Sequence, residues 1–210
     1  MGKPTRWATD TGPEHSRWYI DRFRRMAAEG IDLSGEARLL DAMLVPGSRV
    51  LDAGCGPGRV GAVLHARGHR VVGVDADAEL IEAARADHPG PVWLVGDLAD
   101  LDLAAAGEPD PFDAVVVAGN VMTFVAPGTE RDVLSRLFAH LRPDGFAVIG
   151  FGTERGYPLP EFDADLTAAG FRLEHRFATW DLRPWLPGTD FAVSVLRRPA
   201  GAVGGDPAPR

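Results

Sequence analysis

Between residues 49 and 151 the chain alternates short apolar runs with helical stretches five times. Runs at 49–53, 71–75, 92–95, 112–118 and 146–151 are four to seven residues long and dominated by Val, Leu, Ile, Phe and Ala. Near-continuous apolar character is what a strand covered on both faces requires. Helices are expected at 59–66, at 77–87 behind an Asp77 cap, at 129–141 behind a Thr129 capping box with Asp132 in place of Glu, and at 159–169. Strands separated by helices form parallel sheets with right-handed crossovers. Two further strands, 171–179 and 191–197, lie close enough in the chain to make an antiparallel edge. The expected fold class is α/β: a Rossmann-like, seven-stranded, mostly parallel sheet with an antiparallel last strand and helices on both faces.

Ahead of this pattern, residues 1–13 hold Pro4, Gly12 and Pro13 without periodicity and are expected to be a flexible arm. Tyr19, Phe23, Met26 and Ala27 form one apolar stripe on a helix over 14–28, and a second helix is expected over 34–44. The chain divides into an N-terminal arm and helical lid (1–47), a main domain (48–198) and a tail (199–210) whose Gly and Pro content suggests disorder. The 210 residues hold 22 basic and 30 acidic side chains, a net charge of −8. An acidic chain is a poor binder of nucleic acid, whose affinity rests on neutralised phosphates. Residues 1–25 run the other way, at +3, which fits a lid resting on an acidic body. Apolar runs fall well short of the ~20 residues of a membrane span. Cys55 is the only cysteine, which excludes a disulfide framework. A cytoplasmic protein with no membrane or nucleic-acid partner is expected.

Ligands of parallel sheets bind beyond the carboxyl ends of the strands. The first strand runs into Asp52-Ala53-Gly54-Cys55-Gly56-Pro57-Gly58-Arg59. Its glycines permit a tight turn and close approach of backbone to a ligand. A dinucleotide fingerprint needs a third glycine where Arg59 stands. Asp52 at the mouth of the turn would repel a pyrophosphate and favour a cationic ligand, an ammonium or a sulfonium. At about 4 Å and an effective dielectric of about 20 that preference amounts to several kcal/mol. Asp75, 23 residues on, can accept hydrogen bonds from both hydroxyls of a ribose. Asp97 and Leu98 can meet an adenine amino group and cover the base, while Ala118, Gly119 and Asn120 leave backbone carbonyls open to an ammonium group.

In order and spacing, residues 50–59, 72–77, 96–98, 112–120 and 141–150 resemble the motifs of the class I S-adenosylmethionine-dependent methyltransferases, over most of residues 48–198. The resemblance implies S-adenosylmethionine as cofactor and direct methyl transfer, with a small molecule as the expected acceptor. By motif it implies that Asp52, Gly54, Cys55 and Gly56 surround the methionine part, that Asp75 binds the ribose beside Ala76, and that Asp97 and Leu98 meet the adenine. Ala118, Gly119 and Asn120 would lie near the ammonium and the methyl donor. The family shares no single catalytic residue, and none is assigned here.

Trp18, Tyr19, Arg22 and Phe23 on the first long helix, and Tyr157 with Gly152 and Thr153 after the fifth strand, are the candidates for covering the site and touching the acceptor. Cys55 is expected to serve as a small side chain that fits the turn. His65, His69, His88 and His140 are expected to be solvated, and no cluster with metal-ligand spacing is present, so no metal is expected. Two alternatives remain open from the residues alone: a nicotinamide-dependent oxidoreductase, disfavoured by Asp52 and Arg59, and a non-catalytic S-adenosylmethionine-binding module. A methyltransferase for a macromolecule is a third. Neither the acceptor atom nor the oligomeric state follows from the sequence.

Overall fold

Strand β1 (Arg49–Ala53) is buried at all five positions, as its apolar run anticipates. The structure, a computed structural model, describes residues 3–201. Around β1 stand β2 (Arg70–Asp75), β3 (Val92–Val95), β4 (Phe112–Val117), β5 (Leu141–Gly152), β6 (Arg172–Phe177) and β7 (Phe191–Arg197), in the order β3-β2-β1-β4-β5-β7-β6. β1 pairs parallel with both β2 and β4, and β7 runs antiparallel between β5 and β6. The expected sheet is therefore the observed one.

Side chains alternate across a strand, so each strand feeds two cores. Val50, Val71, Ala114 and Val116 pack on one face with Leu40 of α3 (Gly35–Met43) and Leu64 of α4 (Arg59–Ala66). Leu51, Val72, Val115 and Ile149 pack on the other with Met122 of α6 (Val121–Phe124), Leu134 and Leu137 of α7 (Glu130–His140) and Phe162 of α8 (Leu159–Ala168). Gly73 interrupts the apolar β2 run because the Trp93 ring crosses it; a Cβ there would stand 2.3 Å from the indole.

The arm is not irregular throughout. Thr5 caps a short helix, α1 (Arg6–Asp10), accepting a hydrogen bond from the Ala8 N–H. Trp7 Nε1 donates to Asp77 Oδ2 at 2.8 Å, and Arg6 pairs with Glu130 at 3.3 Å. Five residues cannot hold a helix alone; these contacts fix it across the strand ends. α2 (His15–Ala28) lies against α5 (Ala78–Asp87), where Arg17 meets Glu79 and Arg24 meets Asp87. The basic N-terminal segment thus does rest on acidic groups of the body.

Three local expectations are corrected. β5 starts at Leu141, so the turn expected at 142–145 lies within the strand, as an irregular stretch with Asp144 at φ 63° and a shift in the pairing to β4. Thr129 does not cap α7 through its side chain; its hydroxyl donates to the Ala126 carbonyl. His69 is not solvated but buried beside Asp41, 3.1 Å away, and His140 accepts from the Leu103 N–H. The tail expected to be disordered lies, from residue 202 onward, outside the described residues. Among the described residues no helix is long and apolar enough to cross a membrane.

Candidate functional site

Where β1 parts company from β2 and β4 the loops after four strands converge on one cleft, with about 620 Å³ of empty space counting its open mouth. Its floor is Gly54 and Gly56 after β1; Asp75 and Ala76 after β2, Asp97 and Leu98 after β3, and Ala118 and Gly119 after β4 form the walls. A smaller cavity adjoins it, shared by Gly54, Gly56, Ala118 and Gly119 and reached also by Asp52, Cys55 and Arg59. Tyr19 of α2 lines both. Gly54 has φ +75°, and a Cβ there would stand 2.4 Å from the Val121 side chain. Only glycine lets this turn pass so close to the loop after β4.

Asp75 joins two of these loops. Its Oδ2 accepts from the Gly56 N–H at 2.8 Å and its Oδ1 from the Asp77 N–H at 3.0 Å. Burial pushes its pKa up to about 6, against the pull of those N–H groups. Asp97 Oδ1 accepts from the Ala99 N–H and so caps the 3-10 turn Leu98–Asp100, while Asp97 and Leu98 still line the cleft. The Cys55 thiol is buried among Ile81, Ala84 and Trp93, and burial raises its pKa well above the ordinary value, so it is no nucleophile at neutral pH.

Asp52 is corrected. It does not stand free at the mouth of the turn; it is 2% exposed and its Oδ2 accepts from the Gly61 N–H in α4 at 2.8 Å. Burial raises its pKa to about 7, so at neutral pH it is not the full anion the Coulomb estimate assumes. Asn120 is corrected too. Held at φ 67°, it turns its Oδ1 to the Gly152 N–H at 2.8 Å, tying the ends of β4 and β5 together rather than lining the cleft.

Of the lid candidates, Tyr19 reaches both cavities and Phe23 the smaller one. Trp18 is 49% exposed, and Arg22 lies against the Trp18 and Phe23 rings; neither lines the site. Tyr157 is buried in the core, stacked on Phe151, with its hydroxyl donating to Asp165 at 3.0 Å. Thr153 donates to the Thr189 carbonyl and lines neither cavity. Sequence reasoning missed Thr5, Trp7, Leu80, Val121, Phe124 and Val125, all on the cleft wall, and used Arg59 only to reject a fingerprint. A lone Trp in a polar arm was the available signal for Trp7. Among the described residues no three His, Cys, Asp or Glu side chains are grouped to hold a metal ion.

A sequence family described as a methyltransferase domain matches residues 50–145. The crystal structure of a TehB-like SAM-dependent methyltransferase from Corynebacterium glutamicum is 43% identical, superposes with a TM-score of 0.83, and is matched over 88% of this chain and 98% of its own. The trans-aconitate 2-methyltransferase of Azoarcus sp. is 32% identical over 155 residues, 73% of this chain and 52% of that enzyme. The malonyl-[acyl-carrier protein] O-methyltransferase of Salmonella typhimurium is 34% identical over 114 residues, 53% of this chain and 41% of that enzyme. The chain spans about half the length of these curated relatives.

Proposed function

The chain belongs to the class I S-adenosylmethionine-dependent methyltransferases, and from that premise we propose that it moves a methyl group from S-adenosylmethionine to a small, uncharged acceptor beneath α1 and α2. The observation that carries the reading is Asp75: one carboxylate binds the glycine turn after β1 and faces the cleft also walled by Asp97, Leu98, Ala118 and Gly119. A ribose hydroxyl pair, a flat apolar base and an amino-acid end each find matching groups along that edge. The residues present therefore fit the cofactor.

When bound, S-adenosylmethionine supplies a methyl group already activated on a sulfonium sulfur. The protein's share is to hold and align. Asp75 would accept from the ribose, Ala76, Leu80 and Leu98 would flank the base, and Gly54 and Gly56 would admit the amino-acid end, all of them lining the cleft. Alignment of two reactants contributes roughly 7–11 kcal/mol. Trp7, packed edge-on against Tyr19 and Phe124, closes the roof and excludes water. Burial raises the Tyr19 pKa above its ordinary 10, so its hydroxyl stays protonated and donates rather than removing a proton. No proton acceptor beyond Asp75 and Asp97 lines the larger cleft among the described residues, which suits an acceptor whose nucleophilic atom needs little assistance.

Acceptor class follows from the wall. Thr5, Trp7, Tyr19, Val121, Phe124 and Val125 are aromatic, aliphatic or neutral, and no Lys, Arg or His lines this cleft among the described residues. A polycarboxylate would enter without a counter-charge, at a desolvation cost. An uncharged, partly apolar molecule meets no such cost. The test is calorimetric titration with S-adenosylhomocysteine, then mass-detected methyl transfer to a panel of neutral aromatic and of polycarboxylate acceptors. Saturable binding and transfer to neutral compounds are expected. Binding of NAD without S-adenosylhomocysteine would sink the cofactor, binding without transfer to any acceptor would favour a non-catalytic module, and transfer confined to polycarboxylates would sink the acceptor class.

A further inference from the structure

Three helices meet on one carboxylate beside the cleft. Asp77 Oδ1 accepts from the Glu79 and Leu80 N–H groups at 2.9 and 3.4 Å, the N-terminal cap of α5 that its sequence position anticipates. Its Oδ2 is engaged elsewhere. It accepts from Trp7 Nε1 of α1 at 2.8 Å and from the Ser16 hydroxyl in the first turn of α2. Capping needs only the first oxygen; the second serves donors 70 and 61 positions away in the chain. Burial pushes the Asp77 pKa up, but the Ser16, Trp7 and backbone donors outweigh it and hold the group below the ordinary carboxylate range, so it meets them as an anion. The Asp77 N–H in turn donates to Asp75 Oδ1 at 3.0 Å, so the acid that faces the cleft is bonded to the residue that holds α1.

Arg6, the neighbour of Trp7, is fastened on the opposite side of β1. Its Nη1 donates to the Thr123 carbonyl of α6 at 3.5 Å and to Glu130 of α7 at 3.3 Å. Glu130 is buried, with its other oxygen on the Gly128 N–H. Two consecutive residues thus tie α1 to both walls of the cleft, and the Trp7 ring, edge-on to Tyr19 and to Phe124, spans the gap between them. A five-residue helix depends on such outside contacts.

We infer that Asp77 is a positioning residue that seats the roof over the cleft, and that the bound cofactor leaves only as fast as Trp7 comes off it. This deepens the reading above and rests on it. The second oxygen of a helix cap thereby acquires a task in turnover. The spent cofactor has to leave before a fresh one enters, so the Trp7–Asp77 bond sets a ceiling on the rate.

Asp77→Asn separates the two tasks. Asparagine keeps a carbonyl oxygen for the cap of α5 but offers an amide NH2 where Trp7 and Ser16 donate. Trp7→Phe keeps a ring in the roof and removes the N–H. In stopped-flow displacement of S-adenosylhomocysteine each variant is expected to release the ligand about tenfold faster, the worth of one hydrogen bond to a charged group. The double variant should release it no more than about twofold faster than Asp77→Asn alone, because both changes remove the same bond. Amide exchange at residues 8–11 of the ligand-free protein should rise about tenfold in either variant, since α1 loses the same pin. Release within about twofold of the unaltered protein in both variants, effects that multiply in the double variant, or unchanged exchange in α1 would overturn the inference. A carboxylate that only caps α5 would show itself by a lowered Tm in Asp77→Asn with Trp7→Phe releasing at the unaltered rate. Failure of the unaltered protein to bind S-adenosylhomocysteine would instead overturn the cofactor reading and the control of release with it, whereas amide exchange judges the pin by itself.

Discussion

Asp52 and Asp75 sit near the ends of neighbouring parallel strands, each shortly before a turn, and in the sequence they look interchangeable. The fold treats them differently. Asp52 shares the face of Val50, beneath α3 and α4, and its carboxylate meets a single N–H, that of Gly61. Asp75, at the last position of β2, escapes the helix above, binds N–H groups from two loops and faces the cleft. Both pKa values rise through burial, to about 7 and about 6. One carboxylate thereby lies mostly in the packing under a helix, reaching only the smaller cavity, and the other walls the larger cleft. A strand-end acid is functional when the register carries it past the covering helix.

The sharpest way to break that comparison is to exchange the two acids' fates. Asp75→Ala removes the acceptor for Gly56 and Asp77 and for the ribose together, and calorimetry with S-adenosylhomocysteine should show about a hundredfold weaker binding. A loss under about fivefold would erase the distinction. Asp52→Asn should change that binding little and act on stability instead. A carboxyl whose folded pKa is raised above its unfolded value adds stability that is fully present below about pH 4 and is lost as pH rises through about 7. Asparagine does not titrate, so the variant should gain on the unaltered protein by about 1–3 kcal/mol between pH 5 and pH 8 in urea unfolding. Parallel pH profiles would show that Asp52 ionises freely. Smallest is Tyr157→Phe. It should lower stability by about 1 kcal/mol through loss of the bond to Asp165 and leave ligand binding and turnover unchanged. An altered KM for the acceptor would return Tyr157 to the site.

Legibility followed burial. β1 and α4 end where the sequence places them, because a run buried on both faces and a glycine stop leave little choice; β3 also does so, although Val92 and Val95 at its ends are exposed. α1 was unreadable for the opposite reason. Its five residues carry no periodicity, and its order comes from Trp7 on Asp77 and Arg6 on Glu130, residues far along the chain. Asn120 and Tyr157 misled because polar residues after a strand are the usual place to look for a site. Asn120 answers an N–H on β5, and Tyr157 fills the core beside Phe151. Trp7 and Arg59 gained their places only when the arm and α3 came to rest beside the strand ends.

The amino-acid order alone determined that helices and buried strands alternate, that seven strands form one sheet, and that four particular loops meet at its carboxyl edge. Those outcomes depend on local sterics, glycine turns and apolar periodicity, which act over a few residues. Tertiary contact decided which side chain of each loop faces the cleft and which acid is sheathed beneath a helix. Desolvation and hydrogen-bond partnership set those outcomes, and both depend on neighbours tens of residues away.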